Sequence, residues 1–321
     1  MKISVVGCGR WGTFIAWYLN KKFDDVTLVG RETSAKFQAL QETRQNEYVK
    51  LPDDLKLSSD FAGELAASDI IIISISSQNL RSFLSGVDKD VLDKKVFVLS
   101  MKGIEAETGK RLSEVACECG VNKNNLAVWL GPGHIQEFVA GKPNCMVIDS
   151  YNKSLTTYLA DLFKSDVIRF YYGDDLIGNE IGAAAKNVFG ICAGMLDGAG
   201  LATLKGALMA RGAREIARLI KAMGGNELSA YGLCHLGDYE TTLFSKFSNN
   251  RAFGEAFYKK ESFAKLAEGV STTRALKLLG EIYGVDLPIT NAMFNILYNE
   301  CEPIGQLNAL FARSTRNEFY S

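Results

Sequence analysis

The feature that most constrains the fold of this chain is a glycine-rich turn within its first twelve residues. The apolar run Ile3–Val6 leads into Gly7-Cys8-Gly9-Arg10-Trp11-Gly12, and the pattern that follows predicts a helix reaching about Leu19. In such a turn the first glycine permits the bend, the second admits a pyrophosphate to the backbone, and the third lets helix and strand pack closely. A second apolar run, Val26–Val29, completes a βαβ unit within about 30 residues. We therefore predict that the three glycines of this turn bind a dinucleotide.

Short β-branched runs alternate with helical stretches as far as Tyr172 and then stop. The later runs are Ile70–Ile75, Val96–Leu99, Ala127–Leu130, Met146–Ile148 and Val167–Tyr172. Long helical patterns replace them, over Leu176–Leu196, Leu204–Met223, Phe263–Tyr283 and Ile289–Tyr298. A chain of 321 residues is also longer than a single hydrophobic core usually supports. The sequence therefore predicts an α/β class: a doubly wound, parallel Rossmann sheet over residues 1–173 and an all-helical domain over residues 174–321.

Composition excludes several classes of function. The 36 Lys and Arg residues balance 37 Asp and Glu residues, so no net field would attract nucleic acid or an anionic membrane. The seven cysteines lack paired C-x-x-C spacing and only two histidines occur, so we predict no metal site and a reducing, cytoplasmic location. The longest apolar stretch, Ile181–Leu196, contains Lys186 and is too short to predict a membrane span.

Lys186 is the first candidate for catalysis, because it is the only charged residue within that apolar stretch. Desolvation would lower its pKa toward neutrality, where an ammonium group can give a proton to the oxygen of a ketone during hydride transfer. The alternative is a surface lysine whose aliphatic stem lies along the helix.

Polar residues further along the chain form two more candidate groups. Asp238 and Thr242 are four residues apart, a spacing that places both on one face of a helix. The segment from Ser245 to Gly254 contains hydroxyl, amide and guanidinium groups that are able to hold a phosphate. The alternative for this segment is an ordinary polar loop.

The end of the second predicted strand bears on cofactor preference. Arg31 stands where an NAD-selective site would carry an acidic residue for the ribose 2′-hydroxyl, and a guanidinium there favours the 2′-phosphate of NADP. The alternative is a solvated arginine partly neutralised by Glu32, so the use of NAD as well as NADP stays open.

A series of short motifs runs through the chain in this order: Gly7–Thr13, Lys102-Gly103, Gly131-Pro132, Gly182–Asn187, Arg211-Gly212, Leu236–Asp238, Asn250-Arg251, Glu268–Thr272 and Leu287–Ile289. Together they resemble the motifs of the bacterial NAD(P)-dependent glycerol-3-phosphate dehydrogenases, and the resemblance spans nearly the whole chain. A series in fixed order is more specific than the glycine-rich turn, which unrelated oxidoreductases share.

The resemblance implies a helical domain of the 6-phosphogluconate dehydrogenase type and interconversion of dihydroxyacetone phosphate and sn-glycerol 3-phosphate with NAD(P)H, feeding glycerophospholipid synthesis. It implies that Lys186 is the catalytic acid/base, assisted by Lys102 and Asp238. The implied cofactor contacts are Gly7, Gly9, Arg10, Trp11, Gly12, Arg31, Lys102, Ile135, Asn249 and Glu268. The implied substrate contacts are Lys102, Gly131, Gly133, Lys186, Asp238, Thr242, Ser248, Asn249 and Asn250.

Two positions depart from the pattern of that family. Gly133 stands where the family usually has serine, and Asn249 stands where it usually has arginine. Loss of a charge-assisted contact would weaken phosphate binding by roughly 1.5–3 kcal/mol unless Arg251 or Lys246 replaces it. These departures leave two alternatives, an NADP-dependent reductase of a different small carbonyl compound and a catalytically silent NADP-binding sensor. The oligomeric state stays open, with a homodimer as one candidate.

Overall fold

The computed structural model of the chain describes residues 1–315, 317 and 318. Its strands are β1 (Ile3–Val6), β2 (Val26–Val29), β3 (Lys56–Ser58), β4 (Ile70–Ile73), β5 (Val96–Leu99), β6 (Leu126–Leu130), β7 (Asn144–Ser150) and β8 (Ile168–Tyr172). They form one sheet in the order β3-β2-β1-β4-β5-β6-β7-β8. The strand order reverses beside β1, which pairs in parallel with both β2 and β4. This arrangement confirms the predicted doubly wound Rossmann sheet.

The sheet differs from the prediction at both of its ends. At one edge, β3 was not predicted, because Leu57 is the only apolar residue in this three-residue strand. At the other end, β7 pairs antiparallel with β6, so the sheet is mixed rather than wholly parallel. After β6 the chain turns back through the short helix Ile135–Val139 instead of crossing a face of the sheet, and an apolar run does not reveal strand direction.

Helices pack on the sheet and are the main secondary structure of the described chain after the last strand. The first eight are α1 (Arg10–Asn20), α2 (Ala35–Thr43), α3 (Phe61–Ala67), α4 (Leu80–Leu84), α5 (Lys89–Lys94), α6 (Leu112–Glu118), α7 (Ile135–Val139) and α8 (Lys153–Phe163). After the last strand come α9 (Leu176–Gly198), α10 (Lys205–Ala222), α11 (Asn249–Tyr258), α12 (Gly269–Ile282), α13 (Pro288–Tyr298) and α14 (Pro303–Phe311). No strand follows Tyr172 in the described part of the chain.

The helical half also corrects the sequence analysis in three places. Helix α12 begins at Gly269, not at Phe263, and α14 was not predicted. The segment from Ser245 to Gly254, for which an ordinary polar loop was the alternative, contains the start of α11, which is capped by the Ser248 hydroxyl. Among the helices that the structure describes, none combines the length and apolar character that a membrane crossing needs.

Helix α9 is the centre of the helical half, and it crosses α11 at very short range. A Cβ atom at Gly194 of α9 would lie 1.9 Å from the Arg251 carbonyl oxygen, and one at Gly254 of α11 would lie 2.0 Å from the Ile191 carbonyl oxygen. Glycine is therefore required at both positions. This close crossing fixes the start of α11 beside the middle of α9.

Two polar contacts fasten α9 to the Rossmann half. The Glu180 carboxylate lies 2.7 Å from Arg111 Nη1 and accepts a 2.9 Å hydrogen bond from the Ser113 backbone N–H. Both charged side chains are buried, at 6% exposed for Arg111 and 5% for Glu180. One residue earlier, the Asn179 amide donates to the Asp149 carboxylate at 2.7 Å. The helix that carries Lys186 is thus anchored directly to the domain that carries the glycine-rich turn.

We expect Glu180→Gln to lower the free energy of unfolding by about 3 kcal/mol, because the buried Arg111 guanidinium would lose its closer, buried counter-charge and keep Glu114, which lies 3.3 Å away and is 42% exposed. Urea denaturation followed by tryptophan fluorescence measures this change. Glu118→Gln is the matched control, since the Glu118 carboxylate pairs with Arg81 and Lys110 at the surface, where ion pairs contribute little. Equal destabilisation by the two substitutions would contradict an anchoring role for Glu180.

Candidate active site

Four residues expected to contact cofactor or substrate follow the carboxyl ends of strands. Gly7 follows β1, Arg31 lies two residues beyond β2, Lys102 lies three residues beyond β5, and Gly131 follows β6. These strands run parallel, so their carboxyl ends share this edge. In open α/β sheets, ligands bind at the carboxyl edge beside the point where the strand order reverses.

The glycine-rich turn has the shape that a dinucleotide requires. Gly7 has a φ of +115°, and a Cβ atom there would lie 2.3 Å from the Ser74 carbonyl oxygen. A Cβ atom at Gly12 would lie 2.0 Å from the Gly7 carbonyl oxygen. At Gly9, the residue that caps α1, a Cβ atom would meet no protein atom within 4 Å. The first and third glycines are therefore needed for packing, whereas the second leaves open space at a helix N-terminus, as a bound pyrophosphate needs.

Arg31 is exposed on the same edge. No described carboxylate lies within salt-bridge distance of its guanidinium, including that of the adjacent Glu32. The sequence suggested that Glu32 could partly neutralise Arg31, but these two side chains form no ion pair among the described residues.

The three residues implied in catalysis meet at a single carboxylate. Lys186 Nζ lies 2.7 Å from Asp238 Oδ2, and Lys102 Nζ lies 2.7 Å from the same oxygen. Lys186 also donates to the Thr242 hydroxyl at 2.7 Å, and Lys102 donates to the Gly131 carbonyl oxygen at 2.6 Å. Asp238 thus pairs with Lys102 of the Rossmann half and with Lys186 of the helical half, and it holds their two ammonium groups side by side. We call these three residues the lysine cluster.

Burial and charge set the protonation of this cluster. Burial lowers the pKa of the Lys186 ammonium to about 8, against the opposing attraction of Asp238, and the nearby Lys102 lowers it further. Burial alone would raise the pKa of the Asp238 carboxyl, but the Lys102 and Lys186 ammonium groups hold it below its ordinary value. The lysine predicted to have a lowered pKa is therefore placed where it can exchange a proton near neutral pH.

Asp238 and Thr242 converge on Lys186 through irregular backbone. Asp238 ends a 3₁₀ turn, Leu236–Asp238, and Thr242 lies in a π-helical turn, Glu240–Phe244. The prediction that one regular helix face carries both residues was wrong, although their side chains do meet the same ammonium group. The Thr241 hydroxyl, which the sequence did not single out, donates to Asp238 Oδ1 and occupies the second carboxylate oxygen. π-Helical turns often occur at functional sites.

Asparagine side chains connect the lysine cluster to α11. Asn187 Nδ2 donates to the Lys102 carbonyl oxygen at 3.0 Å, and Asn250 Nδ2 donates to Asn187 Oδ1 at 3.0 Å. Asn250 Oδ1 in turn accepts from the Gly269 backbone N–H at 3.0 Å. Asn250 is therefore linked through Asn187 to the main chain of Lys102.

The remaining polar residues at the start of α11 are held in different ways. The Ser248 hydroxyl accepts from the Arg251 backbone N–H at 3.3 Å, so it is engaged in capping the helix. Asn249 Oδ1 accepts from Arg10 Nη1 at 3.2 Å, across the space between the two halves. Arg251 Nε lies 2.6 Å from Asp197, whose carboxylate also binds Lys205. Arg251 is thus paired within the helical half, which contradicts the idea that it replaces the missing guanidinium at residue 249.

Two expected contacts near β6 depend on the backbone rather than on side chains. Gly133 has a φ of +153°, and a Cβ atom there would lie 2.3 Å from the ring of Phe138. The serine that the family usually has would collide with this ring, which accounts for the glycine. The Ile135 side chain is 3% exposed and belongs to the hydrophobic core, so only its main chain is available to a cofactor.

Trp11 and Glu268 were also expected to contact the cofactor. The Trp11 indole packs against Phe14 and Phe138, with ring centroids 5.1 and 6.3 Å away. Glu268, just before α12, accepts a 3.4 Å hydrogen bond from the Ser77 backbone N–H beyond β4. Burial raises the pKa of the Glu268 carboxyl. Glu268 therefore reaches the carboxyl edge of the sheet from the helical half.

Within the described residues, no group of three or more His, Cys, Asp or Glu side chains is arranged to hold a metal ion. His235 is buried, and both of its ring nitrogens have partners: Nδ1 lies 2.8 Å from the Gly182 carbonyl oxygen and Nε2 lies 2.8 Å from the Tyr239 hydroxyl. Burial lowers the pKa of His235 to about 4, so its imidazole is neutral at physiological pH.

Two family models match the chain. Residues 2–156 match the NAD-dependent glycerol-3-phosphate dehydrogenase N-terminus, and residues 175–308 match the C-terminus of the same family. A glycerol-3-phosphate dehydrogenase [NAD(P)+] of Thermoanaerobacter sp. (strain X514) is 34% identical, with 100% of this chain and 99% of the relative aligned. The enzyme of the same name from Pelodictyon phaeoclathratiforme (strain DSM 5477 / BU-1) is 35% identical, with 95% of this chain and 96% of the relative aligned.

A solved structure agrees with these relatives. The crystal structure of glycerol-3-phosphate dehydrogenase from Coxiella burnetii superposes with a TM-score of 0.89 at 27% sequence identity, covering 97% of this chain and 99% of that one. The comparisons confirm the predicted resemblance and do not favour the two alternatives, a reductase of a different carbonyl compound or a silent sensor.

Proposed function

Because the chain belongs to the NAD-dependent glycerol-3-phosphate dehydrogenase family, we propose that it interconverts dihydroxyacetone phosphate and sn-glycerol 3-phosphate with Lys186 as the proton donor and acceptor. The observation that carries this assignment is the shared Asp238 carboxylate, 2.7 Å from both Lys186 and Lys102, behind the carboxyl edge of the Rossmann sheet. The cluster thus contains the buried Lys186 ammonium group, with a pKa of about 8, and the positive charge of Lys102 beside it.

Each residue of the cluster has a distinct task in reduction. The glycine-rich turn would hold NAD(P)H, which would supply the hydride that reduces C2 of the ketone. Lys186 gives its proton to the oxygen on that carbon, and Lys102 stabilises the negative charge that develops there. Asp238 keeps Lys186 protonated and fixes the direction of both ammonium groups, while Thr242 orients Lys186. In the reverse direction, neutral Lys186 accepts the proton from the C2 hydroxyl group.

We propose that the remaining contacts follow the resemblance, as far as the geometry supports them. Cofactor contacts are assigned to the three glycines of the glycine-rich turn, Arg31, the Ile135 main chain and Glu268. Substrate contacts are assigned to the Gly131 and Gly133 main chain and to Asn250. The boundary between the domains is placed after residue 173, where β8 has ended and α9 has not begun. A homodimer and a cytoplasmic location belong to the same proposal, as does a supply of product to glycerophospholipid synthesis.

The direct test is NADPH oxidation by the purified chain with dihydroxyacetone phosphate, dihydroxyacetone and other small ketones, with NADH in parallel. The proposal expects dihydroxyacetone phosphate to have the highest kcat/KM by a wide margin. A higher kcat/KM with an unphosphorylated or carboxylated ketone would overturn the substrate assignment.

Arg31→Asp should raise the KM for NADPH much more than the KM for NADH. The guanidinium would pair with the 2′-phosphate, whereas a carboxylate would repel it, so the expected change in the ratio of the two KM values is roughly 10- to 100-fold. Steady-state titration with both cofactors measures it. Gly9→Val is the comparison variant, because a branched side chain in the open space at Gly9 should weaken both cofactors alike. Equal changes in the two KM values for Arg31→Asp would remove Arg31 from this role.

A further inference from the structure

A cleft of about 360 Å³ opens between the starts of α1 and α11, and its charge is unbalanced. We call it the α1–α11 cleft and define it by Arg10, Tyr48, Lys246, Asn249 and Lys265, which lie on its walls. One carboxylate, that of Glu47, faces the three cationic side chains in this set. A cleft with this excess of positive charge favours an anionic occupant.

Arg10 is the cation that the structure holds in a fixed place. Its guanidinium carbon lies 4.9 Å from the ring centre of Tyr48, and its Nη1 donates to Asn249 Oδ1 at 3.2 Å. Its Nε is buried and has no hydrogen-bond partner within the described residues. No described carboxylate lies within salt-bridge distance of Arg10. A guanidinium that is oriented by neutral groups and has no counter-charge is able to bind an anion that arrives from solution.

The partner of Arg10 is the residue at which this chain departs from its family. Asn249 stands where the family usually has arginine, and the structure places the Arg10 guanidinium against that asparagine. Arg251 cannot supply the missing charge, because Asp197 engages it, and Lys246 is exposed. The positive charge absent from α11 is thus present on the opposite wall, contributed by the glycine-rich turn of the other domain.

We propose that Arg10 binds a phosphate group in the α1–α11 cleft and that Asn249 orients its guanidinium for this purpose. The inference rests on the proposed function, because the phosphate belongs either to dihydroxyacetone phosphate or to the pyrophosphate of the cofactor. Both ligands carry phosphate oxygens, and both would bind near this cleft. The substrate would lie near Asn249, because Asn249 adjoins Asn250, and the pyrophosphate would lie near Arg10, because Arg10 follows Gly9 at the start of α1. Arg10 therefore sets specificity for a phosphorylated partner and joins the two domains when that partner is bound.

The test uses Arg10→Ser, Asn249→Arg and the double variant in the full-length enzyme. If the substrate phosphate is the ligand, Arg10→Ser should raise the KM for dihydroxyacetone phosphate by roughly 10- to 100-fold, and the Kd for NADPH should change little. If the cofactor pyrophosphate is the ligand, the Kd for NADPH should rise by that factor instead. The double variant, which returns the guanidinium to α11, should recover most of the loss in either case.

Two controls separate phosphate binding from a structural role. If the substrate phosphate is the ligand, Arg10→Ser should lower the kcat/KM for dihydroxyacetone phosphate at least tenfold more than the kcat/KM for unphosphorylated dihydroxyacetone, whereas a distorted site would lower both by the same factor. Lys265→Ser removes an exposed cation from the same cleft and should change each constant by less than about twofold, since exposed charges are strongly screened.

Calorimetric titration with inorganic phosphate and with NADPH needs no turnover, so it tests Arg10 even if the wild type fails to reduce dihydroxyacetone phosphate and the proposed function falls. Arg10→Ser should weaken one of these two ligands. The proposal is overturned if the KM for dihydroxyacetone phosphate, the Kd for NADPH and the Kd for inorganic phosphate all stay within about twofold of wild type. It is also overturned if the double variant recovers nothing while remaining folded.

Discussion

Lys186→Ala should lower the turnover number with dihydroxyacetone phosphate by roughly 10²- to 10⁴-fold, the usual contribution of a positioned general acid. The Kd for NADPH should change little, because Lys186 contacts Asp238 and Thr242 on the helical side of the site and not the glycine-rich turn. Steady-state kinetics and a fluorescence titration with NADPH separate the two quantities.

Lys205→Ala is a matched control for this substitution. Lys205 is as buried as Lys186, and its ammonium group pairs with Asp197 within the helical half. Both variants remove a buried, paired lysine, so both should be less stable than the wild type. When turnover is expressed per folded enzyme, only Lys186→Ala should show a large decrease. A folded Lys186→Ala enzyme with near-normal turnover would show that Lys102 or a water molecule supplies the proton.

The pKa of about 8 for Lys186 also predicts opposite pH profiles for the two directions. Reduction requires the protonated ammonium group, so its kcat should fall as the pH rises through about 8. Oxidation of sn-glycerol 3-phosphate requires the neutral amine, so its kcat should rise through the same pH range. Both limbs arise from one group, and Lys186→Ala should abolish both.

The sequence allowed the Rossmann half to be predicted for a definite physical reason. Strands buried on both faces, such as β4 with its four isoleucines, read as continuous apolar runs. The edge strand β3 lacks that signal because only Leu57 packs inward, and the reversed direction of β7 depends on the path of the preceding chain. Helix α11 was missed because the polar Asn249 and Asn250 at its start resemble a loop, although the capping hydroxyl of Ser248 was visible.

The active site was only partly predictable. Lys186 was evident because a lone charge interrupts an apolar helix, and its lowered pKa follows from the same burial. Lys102 had no local signal and was assigned through the family resemblance. The contact between Arg10 and Asn249 joins residues 239 positions apart, and no periodicity or local motif encodes such a pairing. It required the packing of the two domains against each other.

Asp238→Asn should shift the pH at which reduction declines to lower values, as well as reducing turnover. Asp238 raises the pKa of Lys186 and Lys102 lowers it, so removing the carboxylate leaves only burial and repulsion acting on Lys186. An opposite charge at this range typically moves a pKa by about 1–3 units, so the limb should move acidward by about that much. At pH 8 the protonated fraction of Lys186 would fall from about half to between about 1/10 and 1/1000, so turnover at that pH should fall by roughly 5- to 500-fold.

Thr242→Val provides the contrast that makes this result specific. It removes a neutral hydrogen bond to the same ammonium group without removing a charge, so it should lower turnover through poorer orientation while leaving the pH limb near its original position. Because Asp238→Asn also leaves the buried Lys186 and the partly buried Lys102 without their shared counter-charge, its folded fraction must be measured by near-UV circular dichroism at each pH. An unshifted limb in folded Asp238→Asn enzyme would mean that the ionisation observed in the wild type does not belong to Lys186.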